Sequence, residues 1–319
     1  MAESEITVYA IVGPTASGKT ALAVEISKRI GAEVVSCDSM QIYKGMDIAT
    51  AKPTPEEMQG VPHHLIGFLD EGETYSVARY CEDAGRAIRD ISSRGKIPLL
   101  VGGTGLYYSS LAGNVKFFEE ESDVSYRESL MERARAEGSE ALLKELYEVD
   151  PERAQTLHEN DVKRIVRALE IYHTTGKSIT MQNEESRLEK SPYKFKTVCL
   201  DAEDRQFLYD RINSRVDSML QSGLLEEAKS FYGKETGSTA AQAIGYKELK
   251  PYFDGEKPLE DCVSDLKMQT RRYAKRQLTW FRRCENVKHI YIDKAGSFDE
   301  LANEVTDYFM NGGDVENEQ

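Results

Sequence analysis

Gly13-Pro14-Thr15-Ala16-Ser17-Gly18-Lys19-Thr20 is the stretch whose reading decides the fold. It follows the apolar run Ile6 to Val12, where Val8, Ala10, Ile11 and Val12 read as a buried strand. It precedes a helical pattern in which Ala21, Leu22, Val24 and Ile26 supply the apolar positions. G-x-x-x-x-G-K-T between strand and helix is the setting of a phosphate-binding loop. Its glycines let backbone N–H groups turn inward around phosphate oxygens, and the helix N-terminus adds positive potential. Lys19 is placed to neutralise the distal phosphate and the Thr20 hydroxyl to ligate Mg²⁺. The expected ligand of residues 13–20 is therefore a diphosphate or triphosphate.

Working outward, Ala32 to Cys37 reads as a second strand and ends in Asp38-Ser39-Met40-Gln41. Ligands of open α/β sheets sit at the carboxyl ends of strands, so Asp38 lies where chemistry is expected. Lys44 to Pro53 is too polar and broken for a core helix and reads as a loop. His63 to Phe68 suggests a short extra strand, in which adjacent histidines point to opposite sides and share no metal. Ser76 to Ser93 carries a helical stripe, and Ile97 to Val101 is a buried strand delivering Gly102-Gly103-Thr104-Gly105. That strand supplies glycines and a hydroxyl where a nucleotide hydrolase would place a Mg²⁺-holding acid; Asp38 on the neighbouring strand is the comparable carboxylate.

From about Lys116 the character changes to charged helix without strand-like runs: Glu119-Glu120-Glu121, then helices near 125–137, 139–148, 151–156 and 161–175. A polar passage, Met181 to Ser191, leads back to the strand Thr197 to Asp201. Helices at 204–223 and 224–232, a turn at 233–238, a long helix at 258–283, a strand at 287–292 and a helix at 297–309 complete the chain. The expected fold is α/β: a phosphate-loop parallel sheet (1–115 and 196–310) with a helical insertion (116–195) and a disordered tail (311–319). The 271–283 segment holds six basic residues and no acidic one. At 100° per residue Ala274, Leu278 and Phe281 share one face, and Arg272, Arg276 and Arg283 the opposite one. That basic face is either a polyanion-binding surface or a solvated one paired with nearby acids.

Bulk properties narrow the class. The 319 residues carry a net charge of −14, which argues against a general nucleic-acid coat while leaving room for a local basic patch. No apolar run approaches the roughly 20 residues of a membrane span, and the acidic start Met1-Ala2-Glu3-Ser4-Glu5 does not read as a signal peptide. Five scattered cysteines, without C-x-x-C or zinc spacing, fit a reducing cytoplasm.

The motifs then stop being independent. Gly13–Thr20, Asp38-Ser39-Met40-Gln41-Ile42-Tyr43, Thr50-Ala51-Lys52-Pro53, Gly102-Gly103-Thr104-Gly105-Leu106-Tyr107, Asn160-Asp161 with Arg164 and Arg167-Ala168-Leu169-Glu170, Ala243-Ile244-Gly245-Tyr246 and Arg272 to Trp280 match one family in order and spacing. Along nearly its whole length the chain resembles the bacterial tRNA dimethylallyltransferases (tRNA isopentenyltransferases). The resemblance implies transfer of a dimethylallyl group from dimethylallyl diphosphate to N6 of adenosine 37, beside the anticodon of tRNAs reading codons that start with U, releasing pyrophosphate. It implies Asp38 as general base, with Lys19, Thr20 and its Mg²⁺, Thr104 and Arg215 on the pyrophosphate. Asp38, Ser39, Met40, Gln41 and Thr104 would meet the adenosine, Gln41 bidentately. Arg127, Arg164, Arg167, Arg272, Arg276 and Arg283 would grip the anticodon stem-loop. The expected setting is a cytoplasmic monomer without membrane attachment. Taken from the residues alone, a small-molecule or nucleotide kinase using ATP remains the competing reading, with Asp38 then a Mg²⁺ ligand.

Overall fold

The structure, a computed structural model, describes residues 5–115, 123–188, 191–234, 240 and 243–312. Its elements run β1 (Ile6–Val12), α1 (Lys19–Ile30), β2 (Ala32–Cys37), α2 (Pro55–Met58), β3 (His63–His64), α3 (Val77–Ser93), β4 (Ile97–Gly102), α4 (Gly105–Ala112), α5 (Val124–Glu137), α6 (Ser139–Val149), α7 (Pro151–Gln155), α8 (Val162–Thr175) and α9 (Ile179–Leu188). After these come β5 (Tyr193–Asp201), α10 (Arg205–Gln221), α11 (Leu224–Phe231), α12 (Tyr246–Phe253), α13 (Leu259–Phe281), β6 (Val287–Tyr291) and α14 (Phe298–Asn311). The chain divides into two units, Met1–Ala112 with Pro192–Gln319, and Gly113–Ser191. The acidic run Glu119-Glu120-Glu121, most of the 233–238 turn and the tail at 313–319 lie outside the described residues.

The first unit is built on a parallel sheet in the order β3-β2-β4-β1-β5-β6. Both faces are covered, which is why its strands read as continuous apolar runs instead of alternating ones. Val8, Ala10 and Val12 point to the side packed by α3, α4 and Phe281. Ile11 points to the opposite side, against Leu22 and Ile26 of α1 and Val305 and Phe309 of α14. Fully buried side chains of this size contribute about 1.5–3 kcal/mol each.

Register sets the site. Val12 lies opposite both Gly102 and Cys199, and Cys37 opposite Gly102. Strands β1, β2 and β4 therefore end level, β5 runs on to Asp201, and Gly13, Asp38 and Gly103 leave the sheet side by side.

Among its described residues the second unit has helices and no strand. Leu130, Leu142, Leu146, Ile165, Val166 and Leu169 form its core. Residues 181–188, expected as a polar passage, belong to α9. Its buried positions Gln182 and Ser186 continue, at a spacing of four, from the buried Ser178 just before it, so its period is written in polar side chains. Ser186 Oγ donates to the Gln182 carbonyl and Gln182 Nε2 to Thr175 Oγ1, which satisfies them inside. Strand β5 begins at Tyr193, pairing with Ile6, earlier than the apolar run at 197 suggests. The short helices α4 and α12 lie outside the expected pattern; α4 buries residues all round, and α12 holds Pro251.

Candidate active site

Backbone strain shapes the loop after β1. Gly13 takes φ 137°, and a Cβ there would sit 2.5 Å from the Leu200 carbonyl oxygen. Ala16 adopts φ 64°, a left-handed conformation uncommon for alanine. Arg211 of α10 holds it there, its Nε donating to the Ala16 carbonyl at 2.8 Å. Gly18 precedes α1 at φ 90° and supplies no side-chain cap, so the helix's first N–H groups stay available to an anion. Ser17 Oγ and Lys19 Nζ both donate to the Pro14 carbonyl, at 2.9 and 2.6 Å. Desolvation, reinforced by the Arg215 guanidinium and opposed by Asp38, pulls the Lys19 ammonium down to about 8. Arg215 is itself lowered by burial, and it makes no hydrogen bond or ion pair to a described residue. Two cations thus crowd one apolar-walled space, an arrangement a polyanion would relieve.

Asp38 sits at the end of β2. Its Oδ1 accepts from the N–H groups of Met40 and Gln41 at 2.9 and 3.3 Å, which leaves Oδ2 open. The Thr104 N–H donates to the Cys37 carbonyl at 3.1 Å, drawing the loop after β4 across the end of β2. Gly102 is required by that crossing, since a Cβ there would run into the Cys37 carbonyl. The Thr104 hydroxyl accepts from Ser39 N–H at 3.0 Å and lies 3.3 Å from Ser39 Oγ. Expected on the pyrophosphate, it is committed to the turn that carries Asp38. Gln41 also departs from expectation: its Nε2 donates to the Thr50 and Ala51 carbonyls, both at 3.2 Å. A bidentate grip on an adenine edge would need both bonds broken.

Three further residues, invisible as functional in the sequence, come from α13. Gln277, 6% exposed, accepts from Thr15 N–H at 2.9 Å and donates to the Gly103 carbonyl at 2.9 Å. It ties the phosphate loop to the strand end beside it. Trp280 lies where a Cβ on Gly105 would be, with its Nε1–H donating to Ser109 Oγ at 2.7 Å. Tyr273 lies beside Thr104, and burial raises its hydroxyl's pKa well above the usual phenol range. Gly103 and Gly105 are thus the footprint of α13, and Gly102 that of Cys37. Arg276 caps the Tyr273 ring at 5.7 Å, while Arg272 and Arg283 are exposed. The helix ends at Phe281, so Arg283 lies past it. Arg282 turns back to the buried Asp201 at 3.0 Å, a strand-end carboxylate on the far side of β1 that is spent on Arg282 and His289.

A cavity of about 1040 Å³ gathers these groups. Lys19, Thr20, Asp38, Ser39, Arg215 and Tyr273 line its polar part, while Ile48, Val216, Met219, Leu224, Ile244 and Leu266 line its apolar part. The Thr20 hydroxyl makes no hydrogen bond to a described residue. Among the described residues no cluster of three His, Cys, Asp or Glu could hold a metal, so any ion here would lean on Thr20 and on its ligand's own oxygens.

Arg127, Arg164 and Arg167 belong to the helical unit. Arg127 grips the fully buried Glu170 through two bonds, at 2.7 and 3.0 Å, and Arg167 adds a third at 3.1 Å. No physical cue for Arg127 stands in the residues beside it; Glu170 on α8 is that cue. Arg164 pairs with Asp161 at 3.2 Å and remains largely exposed. These arginines have structural partners before any RNA arrives.

A family model described as IPP transferase matches residues 41–284, and one described as isopentenyl transferase matches residues 6–72. The chain is 50% identical over 276 residues to the tRNA dimethylallyltransferase of Bacillus subtilis, covering 86% of this chain and 87% of that protein. It is 45% identical over 306 residues to that of Thermoanaerobacter sp., covering 95% and 97%. The crystal structure of a tRNA isopentenylpyrophosphate transferase from Bacillus halodurans superposes with a TM-score of 0.71 at 43% identity, covering 96% of each chain. A eukaryotic dimethylallyltransferase solved acting on tRNA gives 0.82 at 30% identity, covering 98% of this chain and 81% of that one. These likenesses, spanning phosphate loop and basic helix together, set the kinase alternative aside. The chain belongs to the IPP transferase family.

Proposed function

We propose that the chain transfers a dimethylallyl group from dimethylallyl diphosphate to N6 of adenosine 37 in tRNA, working as a cytoplasmic monomer. One observation carries this reading. A single cavity joins a cationic phosphate cradle to an apolar wall, with the open Asp38 Oδ2 in its lining. A prenyl diphosphate uses both parts, its phosphates in the cradle and its hydrocarbon on the wall. Among the described residues no helix is long and apolar enough to cross a membrane.

In this mechanism Lys19, Arg215 and the N–H groups at the start of α1 bind the diphosphate. Thr20 would hold Mg²⁺, which when bound supplies further charge neutralisation at the pyrophosphate. The C1–O bond breaks, its electron pair leaving with pyrophosphate. The N6–C1 bond forms from the adenine amine, whose proton passes to Asp38 Oδ2. Such proton transfer contributes about 10²–10⁴-fold. Adenosine 37 must leave its stack to reach Asp38. Ser39, Met40 and Gln41 flank it, and Thr104 keeps the Asp38 turn in place. Arg164, Arg272, Arg276 and Arg283, with the outer edges of Arg127 and Arg167, meet the RNA backbone.

The test is direct: unmodified tRNA is incubated with labelled dimethylallyl diphosphate or with ATP, and its nucleosides are analysed. Label in N6-dimethylallyladenosine supports the proposal. Consumption of ATP with no labelled nucleoside refutes it.

A further inference from the structure

Glu227 on α11 is unaccounted for by any step above, yet its carboxylate is the most heavily engaged near the cavity. Oε2 accepts from the N–H groups of Asp47 and Ile48 at 2.9 and 2.7 Å; Oε1 accepts from Ala49 N–H and from Tyr246 O–H, both at 2.9 Å. Three successive backbone donors converging on one anion form a nest of the kind that ordinarily binds a ligand. Here the protein fills it with its own side chain. The loop so held is otherwise closed on itself. Lys52 Nζ reaches the Asp47 carboxylate at 2.5 Å and the Tyr43 carbonyl at 2.6 Å, and Thr50 Oγ1 donates to the Met46 carbonyl at 2.6 Å. Ala51 turns at φ 49°.

This loop is a wall of the cavity. Ile48 and Ala49 line it, facing the part formed by Val216, Met219, Leu224, Ile244 and Leu266. Gly245 abuts the loop so closely that a Cβ there would lie 3.1 Å from Ala49 Cβ. We infer that Glu227, acting through the Asp47–Ala49 N–H groups, is a positioning residue that fixes the depth of the apolar part and thereby limits the length of the prenyl chain the enzyme accepts. The inference rests on the transferase reading above. Charge-assisted bonds of this kind are the strong ones, so losing the carboxylate frees three donors at once. A looser wall relaxes discrimination: one methylene in a hydrophobic pocket changes selectivity by about 10–200-fold.

The experiment compares dimethylallyl with geranyl diphosphate as donors to tRNA, using the full chain and its Glu227→Ala, Glu227→Gln and Tyr246→Phe variants. Inorganic pyrophosphate inhibition reports the phosphate end separately. Glu227→Ala is expected to lower the five-over-ten-carbon preference in kcat/KM by about tenfold or more, with pyrophosphate inhibition unchanged. Glu227→Gln, which keeps an acceptor but not the charge, should fall between, while Tyr246→Phe should keep the preference. If Glu227→Ala fails to fold, Glu227→Gln decides alone. A preference unchanged in a folded, active variant overturns the inference and leaves Glu227 a structural tie. A wild-type protein that moves neither prenyl group to tRNA overturns the transferase reading instead.

Discussion

Gln277 offers the most quantitative test of how the site is held. Replacing it with alanine removes two 2.9 Å hydrogen bonds and strands the Thr15 N–H and the Gly103 carbonyl. A fully buried stranded group costs about 1–3 kcal/mol and the partly exposed Thr15 N–H less, so Gln277→Ala should lose roughly 2–5 kcal/mol. The native protein's margin is about 5–15 kcal/mol, so the variant should still fold. Gly103→Ala attacks the same contact from the other side. Its new Cβ would land on Gln277 Nε2, forcing the amide out and breaking both bonds. The other near neighbour, the Gly13 carbonyl at 3.2 Å, has only to give slightly. The two changes should therefore be strongly non-additive. Once the Gln277 amide is gone, the space for a methyl group at position 103 already exists, and the double variant should cost about as much as either single one. Denaturant unfolding of the four proteins measures the coupling, expected at roughly 2–4 kcal/mol in the sense of rescue. Single-turnover transfer should follow the same pattern, because the clamp sets the phosphate loop against the Asp38 turn. Additive losses would refute the shared clamp.

Four further variants carry expected outcomes. Asp38→Asn should leave donor and tRNA binding near normal while cutting single-turnover transfer by about 10²–10⁴; near-normal turnover removes Asp38 as base. Lys19, held at about 8 in the free protein, is charged below that pH and must take up a proton above it to meet a diphosphate. Pyrophosphate affinity should therefore fall by up to about tenfold per unit above pH 8 relative to Lys19→Arg, whose charge does not titrate. The stability sign is opposite: between about 8 and 10.5 the unfolded lysine binds more protons, so this group's contribution to stability rises with pH, which urea unfolding across that range would detect. Arg127→Ala leaves the buried Glu170 with Arg167 as its charged partner, and should cost about 2–4 kcal/mol of unfolding free energy with or without RNA. If Arg272, Arg276 and Arg283 each meet a phosphate, removing all three should flatten the slope of log K against log salt by roughly two to three units. The choice of adenosine should persist, since phosphate contacts position and base contacts specify.

Much of the fold was legible because its signals are local. The strand before Gly13, the glycines of the loop and the helix after it lie within one short segment, and backbone geometry alone fixes their meaning. The same holds for Ser76 at the start of α3 and Gly176 at the end of α8, each a terminus written in one residue. Legibility failed where the buried face was not apolar. Helix α9 hides Gln182 and Ser186, with Ser178 buried just before it, so a search for hydrophobic periodicity passes over it. Helix α4 has the reverse problem: Tyr107, Tyr108, Ser110 and Leu111 are all buried, so no polar face marks its period.

The site divides along a different line. A glycine in a sequence declares that something stands close to the backbone, but not what. Gly102, Gly103 and Gly105 could be read as a turn, yet their neighbours are Cys37, Gln277 and Trp280, two of which arrive from a helix far along the chain. Gln277 lies 262 positions from one hydrogen-bonding partner and 174 from the other. Charges mislead for the same reason. Arg127, expected on RNA from the resemblance, and Arg282, one of the six basic residues of 271–283, are both committed by the fold to buried carboxylates, Glu170 and Asp201. A buried carboxylate without a partner is too costly to persist, so in so acidic a chain the first claim on an arginine is internal. Arg272 and Arg283 have no such internal claim among the described residues, and this makes them, more than Arg127, the positions at which a salt-dependence measurement should register the RNA.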